Sequence, residues 1–426
     1  MNYPYSVTGG RGVTPVPGVP NVAGKRGQSV DTSKSGPSDT ANIELSRRSF
    51  LKQSSLLAVA SVGAGIGALA EMRGDSGLNG VLPQTGPRPK GRAFPRGPAF
   101  PKGAVIRTLL EDLPPQALAS GAVLFHEHLS IHYPLTNALA ARQGAPPPKN
   151  FSDDVDLMVA EARAAGKDGV SCIVDGGHPD MDRRLEALKR IAAESGVHIV
   201  ASGGYYMQRN YPADIATKSV DQIADDLVRD ARADRLGAYG EIGQQGGELT
   251  PDERKVFTAV GKAHLRTGLP IFTHNAYLGT IPVNPPVPPD AALRQLDVLE
   301  GAGAKPDKIA IGHVCCLDDP KAEIAKQVAR RGAFVGFDRV TIQTLPDSKR
   351  VVMALALIEA GYAGNLLLSS DFSQERSLKK NGGPGLAQTV TVFAKMLSEA
   401  GVKEDTLHSI LVDNPRRFLA FVPKDV

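Results

Sequence analysis

The sequence predicts an α/β chain folded as a (β/α)8, or TIM, barrel. Eight short apolar runs recur between residues 121 and 371, and such runs are typical of strands buried on both faces. Each is followed by a stretch with helical periodicity, which is the pattern of parallel strands joined by helices. An open doubly wound sheet is the second reading, but it usually carries a Gly-rich phosphate loop after its first strand. Here His126-Glu127-His128 stands in that place.

The strands are expected at 121–125, 169–175, 197–203, 237–243, 269–274, 308–313, 332–337 and 365–371. The helices are expected at 153–165, 182–195, 220–233, 251–267, 289–302, 321–331, 347–360 and 385–400. Thr250-Pro251-Asp252-Glu253 supplies a capping hydroxyl, a proline at the first helical position and acids in the first turn. Gly332 and Gly401 follow helical stretches, where a left-handed residue ends a helix.

At 426 residues with 42% apolar content, the chain can bury a large core once its tail is set aside. Three segments are expected: a leader and signal over 1–70, a Pro/Gly-rich linker over 71–104, and the barrel over 105–426. The first two carry a formal charge of +8, and residues 105–426, with 36 basic and 40 acidic side chains, carry −4, which leaves the chain at +4. The body therefore lacks the basic signature of a nucleic-acid partner.

Arg47-Arg48, the weakly apolar stretch 54–70 and the ending Ala68-Leu69-Ala70 resemble a twin-arginine export signal. The run is too short and too rich in Gly, Ala and Ser for a membrane anchor. The expectation is a periplasmic or secreted protein carried by the twin-arginine machinery. Cys172, Cys315 and Cys316 are too few and too oddly placed for a disulfide framework, and they lie in apolar runs where buried thiols are common.

Active sites of TIM barrels lie at the C-terminal ends of the strands. Those ends hold His126 and His128, then Glu241, His274, His313 and Asp371. Residues i and i+2 of a strand share a face, so His126 and His128 can reach one point. Four imidazoles and two carboxylates exceed the needs of one catalytic zinc, which takes about three protein ligands. They suit two cations about 3.5–4 Å apart with a bridging carboxylate and a bridging water. Two divalent ions are expected as cofactors, with zinc the expected identity, although such ligands also accept manganese, iron or cobalt.

The chain resembles the phosphotriesterase family of the amidohydrolase superfamily from about residue 121 onward. The matching pieces are Phe125-His126-Glu127-His128-Leu129, Gly240-Glu241-Ile242-Gly243, Thr273-His274, Ile311-Gly312-His313, Ser370-Asp371 and Asp413-Asn414-Pro415-Arg416-Arg417-Phe418-Leu419. Gly196-Val197-His198-Ile199-Val200-Ala201 and Ala263-His264-Leu265-Arg266-Thr267-Gly268 also match. The resemblance implies that His126, His128 and Asp371 hold the more buried metal and His274 and His313 the more exposed one. It also implies that Asp371 takes the proton as the bridging hydroxide attacks, that Tyr205 lies near the leaving group, and that the protein is a homodimer.

The best-known members bridge their metals with a carbamylated lysine at the end of strand four. Here that residue is Glu241, as in the branch called phosphotriesterase homology proteins. Glutamate supplies the same bidentate anion on a shorter stem. The reaction expected is metal-dependent hydrolysis of a carboxylic ester, lactone or phosphotriester, with ester or lactone favoured. The alternative is a non-catalytic, metal-stabilised barrel that binds a small ligand. Asp338 and Arg339 end strand seven and are expected to form a local ion pair rather than to touch substrate. His178 is expected to face solvent from a loop, His132 to sit in the first loop, and His198, His264 and His408 to be structural.

Overall fold

The computed structural model describes residues 97–132, 149–279, 282–342 and 344–424. The leader, the signal and most of the linker lie outside the described residues. The barrel belongs to a compact unit, Phe94–Val426. Residues 97–104, expected as linker, run onto the barrel: Phe100 packs against its interior, with the Arg416 guanidinium 5.8 Å over its ring. A two-stranded hairpin, Ile106–Arg107 with Asp112–Leu113, follows.

Eight parallel strands form one sheet in strict sequence order: β1 Ala122–Glu127, β2 Val170–Asp175, β3 His198–Gly203, β4 Ala238–Gly243, β5 Ile271–His274, β6 Ile309–Ile311, β7 Phe334–Phe337 and β8 Leu366–Leu368. The first and last strands are joined mainly around their C-terminal ends. The Asp371 amide donates to the His126 carbonyl at 3.2 Å, and the His126 amide to Ser369 Oγ at 3.0 Å. This nearly closed ring is a TIM barrel.

One helix follows each strand: α1 Val155–Lys167, α2 Leu185–Ser195, α3 Val220–Ala233, α4 Pro251–Thr267, α5 Ala291–Gly301, α6 Glu323–Arg330, α7 Asp347–Leu357 and α8 Ala394–Glu399. The local chemistry explains the boundaries. The Thr250 hydroxyl accepts from the Glu253 amide, and Glu253 answers by accepting from the Thr250 amide, so α4 starts in a full capping box. Gly332 and Gly401 lie past α6 and α8 with φ of 92° and 94°.

Two apolar layers follow from the strand period of two. Leu124, Ile173, Ile199, Tyr239, Ile271, Ile309, Val335 and Leu366 face the helices within the larger cluster. Val123, Cys172, Val200, Ala238, Phe272, Ala310, Phe334 and Leu367 face inward, one from each strand. Phe418, from the C-terminal helix Asn414–Leu419, caps this interior and meets Phe125 and Phe334 edge-on at 6.3 and 5.6 Å. The interior is a packed aromatic floor on which the strand ends stand.

A candidate binuclear metal centre

Two β-bulges build the site. In β1, Leu124 pairs with Ile173 but Glu127 pairs with Asp175, so β1 carries one extra residue. In β4, Tyr239 pairs with Ile271 but Ile242 pairs with Thr273, again one extra. A bulge reverses the inside–outside alternation beyond it. Phe125 can therefore fill the floor while His126 and His128 also turn inward. By the same device Glu241 turns inward, although Tyr239 and Ile242 both face the helices. Gly240 is required at the second bulge: φ is 153°, and a Cβ there would collide with the Phe272 ring.

Plain alternation delivers three more residues. Phe272 leads to His274, Phe334 to Asp338 and Leu367 to Asp371, each by even steps. His313 and Asp371 lie in the left-handed region, at φ 57° and 47°. Non-glycine residues held there cluster at functional sites.

The six side chains expected at the mouth converge. His128 Nε2 lies 3.2 Å from Glu241 Oε1 and 3.1 Å from Asp371 Oδ1. His126 Nε2 lies 3.4 Å from Glu241 Oε2 and 4.0 Å from Asp371 Oδ1. His274 Nδ1 is 2.7 Å from the same Glu241 Oε2 and 2.9 Å from His313 Nε2. The groups His126–His128–Glu241–Asp371 and Glu241–His274–His313 each gather potential ligand atoms within 4.8 Å. Glu241 belongs to both, as a bridging carboxylate must. All six residues are buried.

The electrostatics favour a cation. Burial opposes charge on His126, but Glu241 and Asp338 outweigh it and hold its proton affinity well above that of a free imidazole. Burial likewise opposes charge on His128 and His313, and their carboxylate neighbours still raise both to about 9. Burial pushes His274 down to about 4 despite the attraction of Glu241, and the neighbouring His313 lowers it further. The imidazoles pull Glu241 well below the carboxylate range in spite of its burial. Among the described residues His126 Nε2 has no hydrogen-bond partner, and a buried polar atom left that way costs about 1–3 kcal/mol. An imidazole nitrogen beside two carboxylates is a donor set that suits a divalent cation.

Asp338 proves to be a positioning group. Its Oδ2 lies 2.9 Å from His126 Nδ1 and its Oδ1 3.1 Å from His313 Nδ1, and Oδ1 also accepts the His313 amide at 2.7 Å. One carboxylate thus fixes the tautomer of an imidazole in each group, leaving both Nε2 atoms free for ligation. This replaces the expected local ion pair. Arg339 instead sends Nε to Asp371 Oδ2 at 3.0 Å. The sequence signal for Asp338 was its even spacing from Phe334.

Tyr206, rather than Tyr205, meets the cluster. The Tyr206 hydroxyl is 3.4 Å from His274 Nδ1, with ring centroids 4.9 Å apart. Tyr205 stacks edge-on against Tyr211 at 6.0 Å and lines a side cavity of about 180 Å³ with Arg183, Leu227 and Asp234. His178 is buried, not solvent-facing. His132 lies in the first loop between Asp153 and Asp182. His264 is tied to the Leu269 carbonyl at 2.7 Å. The three cysteines are free and buried.

The phosphotriesterase family pattern matches residues 110–419. The chain belongs to the phosphotriesterase family. Among its relatives, the phosphotriesterase homology protein of Escherichia coli (strain K12) is 30% identical over 313 residues, covering 70% of this chain and 98% of that one. Its crystal structure, with phosphate in the active site, superposes with a TM-score of 0.61 at 28% identity, over 71% and 99% of the two chains. An aryldialkylphosphatase of Saccharolobus solfataricus is 29% identical over 70% of this chain and 95% of its own. An N-acetyltaurine hydrolase of Danio rerio is 26% identical over 74% and 98%. The crystal structure of a lactonase from Listeria monocytogenes gives a TM-score of 0.61 at 25% identity, over 74% and 99%. These phosphotriesterase-family relatives place the chain among metal-dependent hydrolases with buried candidate ligands at the barrel mouth.

Proposed function

We propose that the chain is a binuclear metal-dependent hydrolase that cleaves a carboxylic ester or lactone. The observation that carries this reading is the double membership of Glu241 in two groups of ligand-type atoms. His126 Nε2, His128 Nε2, Asp371 Oδ1 and a Glu241 carboxylate oxygen would hold one cation. His274 Nδ1, His313 Nε2 and Glu241 Oε2 would hold the other. Two divalent ions bound there would lower the pKa of a water and polarise the scissile group. Zinc suits these N/O donors, as do its neighbours.

The chain's own residues then have separable tasks. Asp371 accepts the proton that the attacking water releases, and Arg339 holds its carboxylate in place from the far oxygen. Asp338 orients His126 and His313. The aromatic floor of Phe125, Phe272, Phe334 and Phe418 excludes water from beneath, which strengthens each charge interaction above it. Glu241 at the expected bridging position supports membership of a glutamate-bridged branch, and for that reason ester or lactone is favoured over phosphotriester.

The proposal extends to export by the twin-arginine route to the periplasm or exterior, supported by Arg47-Arg48 and the stretch 54–70. Among the described residues no helix is long and apolar enough to cross a membrane.

The test is a panel of lactones, aryl esters, alkyl esters and aryl phosphotriesters, assayed before and after chelation and after metal return. Turnover of a lactone or ester that vanishes with chelator and returns with metal is expected. Turnover of none of them, or turnover indifferent to chelator, contradicts the reading and favours a binding protein.

A further inference from the structure

The loop after β2 carries an acid–imidazole pair to which the six-residue site gives no task. Its start lies against the ligand cluster. A Cβ on Gly176 would sit 3.1 Å from His126 Nε2 and 3.2 Å from His128 Cε1, and the Gly176 carbonyl accepts the Glu241 amide at 3.2 Å. Two residues on, in the inward phase of Cys172 and Val174, comes His178. Its side chain is fully buried.

His178 Nδ1 lies 2.9 Å from Asp180 Oδ1, while its Nε2 has no hydrogen-bond partner among the described residues. Asp180 uses its second oxygen to accept the Tyr206 amide at 2.8 Å. One carboxylate therefore sets both the imidazole and the tyrosine that touches His274. The His178 and Tyr206 rings stand 6.4 Å apart, and the Tyr206 ring stands 4.9 Å from His274. An imidazole whose Nδ1–H is fixed by a buried carboxylate, with Nε2 left open, is arranged for proton transfer. A purely structural histidine at this depth would have both nitrogens engaged.

We propose that His178, held by Asp180, is the acid that protonates the leaving group on the Tyr206 side of the mouth. This rests on the hydrolase reading above. As the acyl C–O bond breaks, its electron pair passes to the leaving oxygen, which takes the proton from His178 Nε2. The ring passes from imidazolium to neutral imidazole, keeps its Nδ1–H on Asp180, and regains the Nε2 proton from a water that enters as the alcohol leaves. Asp371 handles the proton of the attacking water, so the two transfers use different residues. The substrate class follows: esters whose alcohols are poor leaving groups gain from such an acid, whereas nitrophenyl esters do not need one.

The test compares His178→Asn, His178→Gln and Asp180→Asn with the wild type, all metal-loaded, on an alkyl ester and a nitrophenyl ester of the same acid. Bound metal is measured in each. The expected result is unchanged metal content and a loss of about 100-fold or more on the alkyl ester, with little loss on the nitrophenyl ester. Equal losses on both esters, or loss of bound metal, overturn the role. A wild type without chelator-sensitive turnover removes the hydrolase reading and this role with it. Should the variants fail to fold, the wild-type 15N-histidine spectrum decides. A His178 imidazolium, protonated on both nitrogens, supports the role, and a neutral ring overturns it.

Discussion

Glu127 Oε1 accepts a hydrogen bond from the Ser370 amide at 2.9 Å, and Glu127 Oε2 accepts one from the Ser370 hydroxyl at 2.7 Å. The same Oε2 also accepts the Phe372 amide at 2.9 Å. The middle residue of His126-Glu127-His128 therefore grips the turn on both sides of Asp371. It ties the two imidazoles of β1 to the carboxylate of β8 across the seam where the barrel closes. Glu127→Ala would leave two buried amides unpaired at about 1–3 kcal/mol each. Thermal unfolding should show a marked loss of stability together with reduced metal content. A variant as stable as the wild type would show that the seam holds without Glu127.

Asp338 serves an imidazole in each of the two groups, so its removal should weaken both at once. Losing an outer partner of metal-bound histidines typically costs about 10–100-fold in affinity or activity. Asp338→Asn keeps the shape but can accept through one atom only. Competition with a chelator should show metal released at a lower chelator concentration. Release indistinguishable from wild type would confine Asp338 to packing.

Gly176 occupies the space a side chain would need beside His126 and His128, with the nearest ring atom 2.9 Å from a would-be Cβ. Gly176→Ala should push those rings aside and lower turnover far more than stability. Unchanged activity would mean that the loop after β2 yields freely.

Burial pushes the Cys172 thiol up to about 12, so it stays protonated and unreactive at neutral pH. The expected outcome is no labelling of Cys172 by iodoacetamide in the native protein and full labelling after denaturation. Rapid native labelling at pH 8 would contradict the packing of the barrel interior.

The order of strands and helices was legible because buried parallel strands and amphipathic helices leave different periods. The helices 220–233 and 251–267 match the structure residue for residue. The six converging residues were legible because titratable residues stood at apolar strand ends. What stayed hidden depends on geometry that a period-two count does not hold. An extra residue in β1 and in β4 leaves no compositional mark, yet it decides how Phe125 and His126 both face inward. Tyr206 is favoured over Tyr205 by continuing the alternation from Val200 and Ser202 past the end of β3. Asp338 and His178 follow the same count beyond β7 and β2. Glu127 has no such signal, since its partners lie 243 and more residues away.

In the proposed centre Glu241 bridges two cations held by the other five residues. Metal analysis of gently purified protein, joined to anomalous diffraction from its crystals, tests this most directly. The expected result is close to two divalent ions per chain, about 3.5–4 Å apart, with Glu241 between them and Glu241→Gln retaining fewer. A single ion, no ion, or two ions without Glu241 as a shared ligand would contradict it.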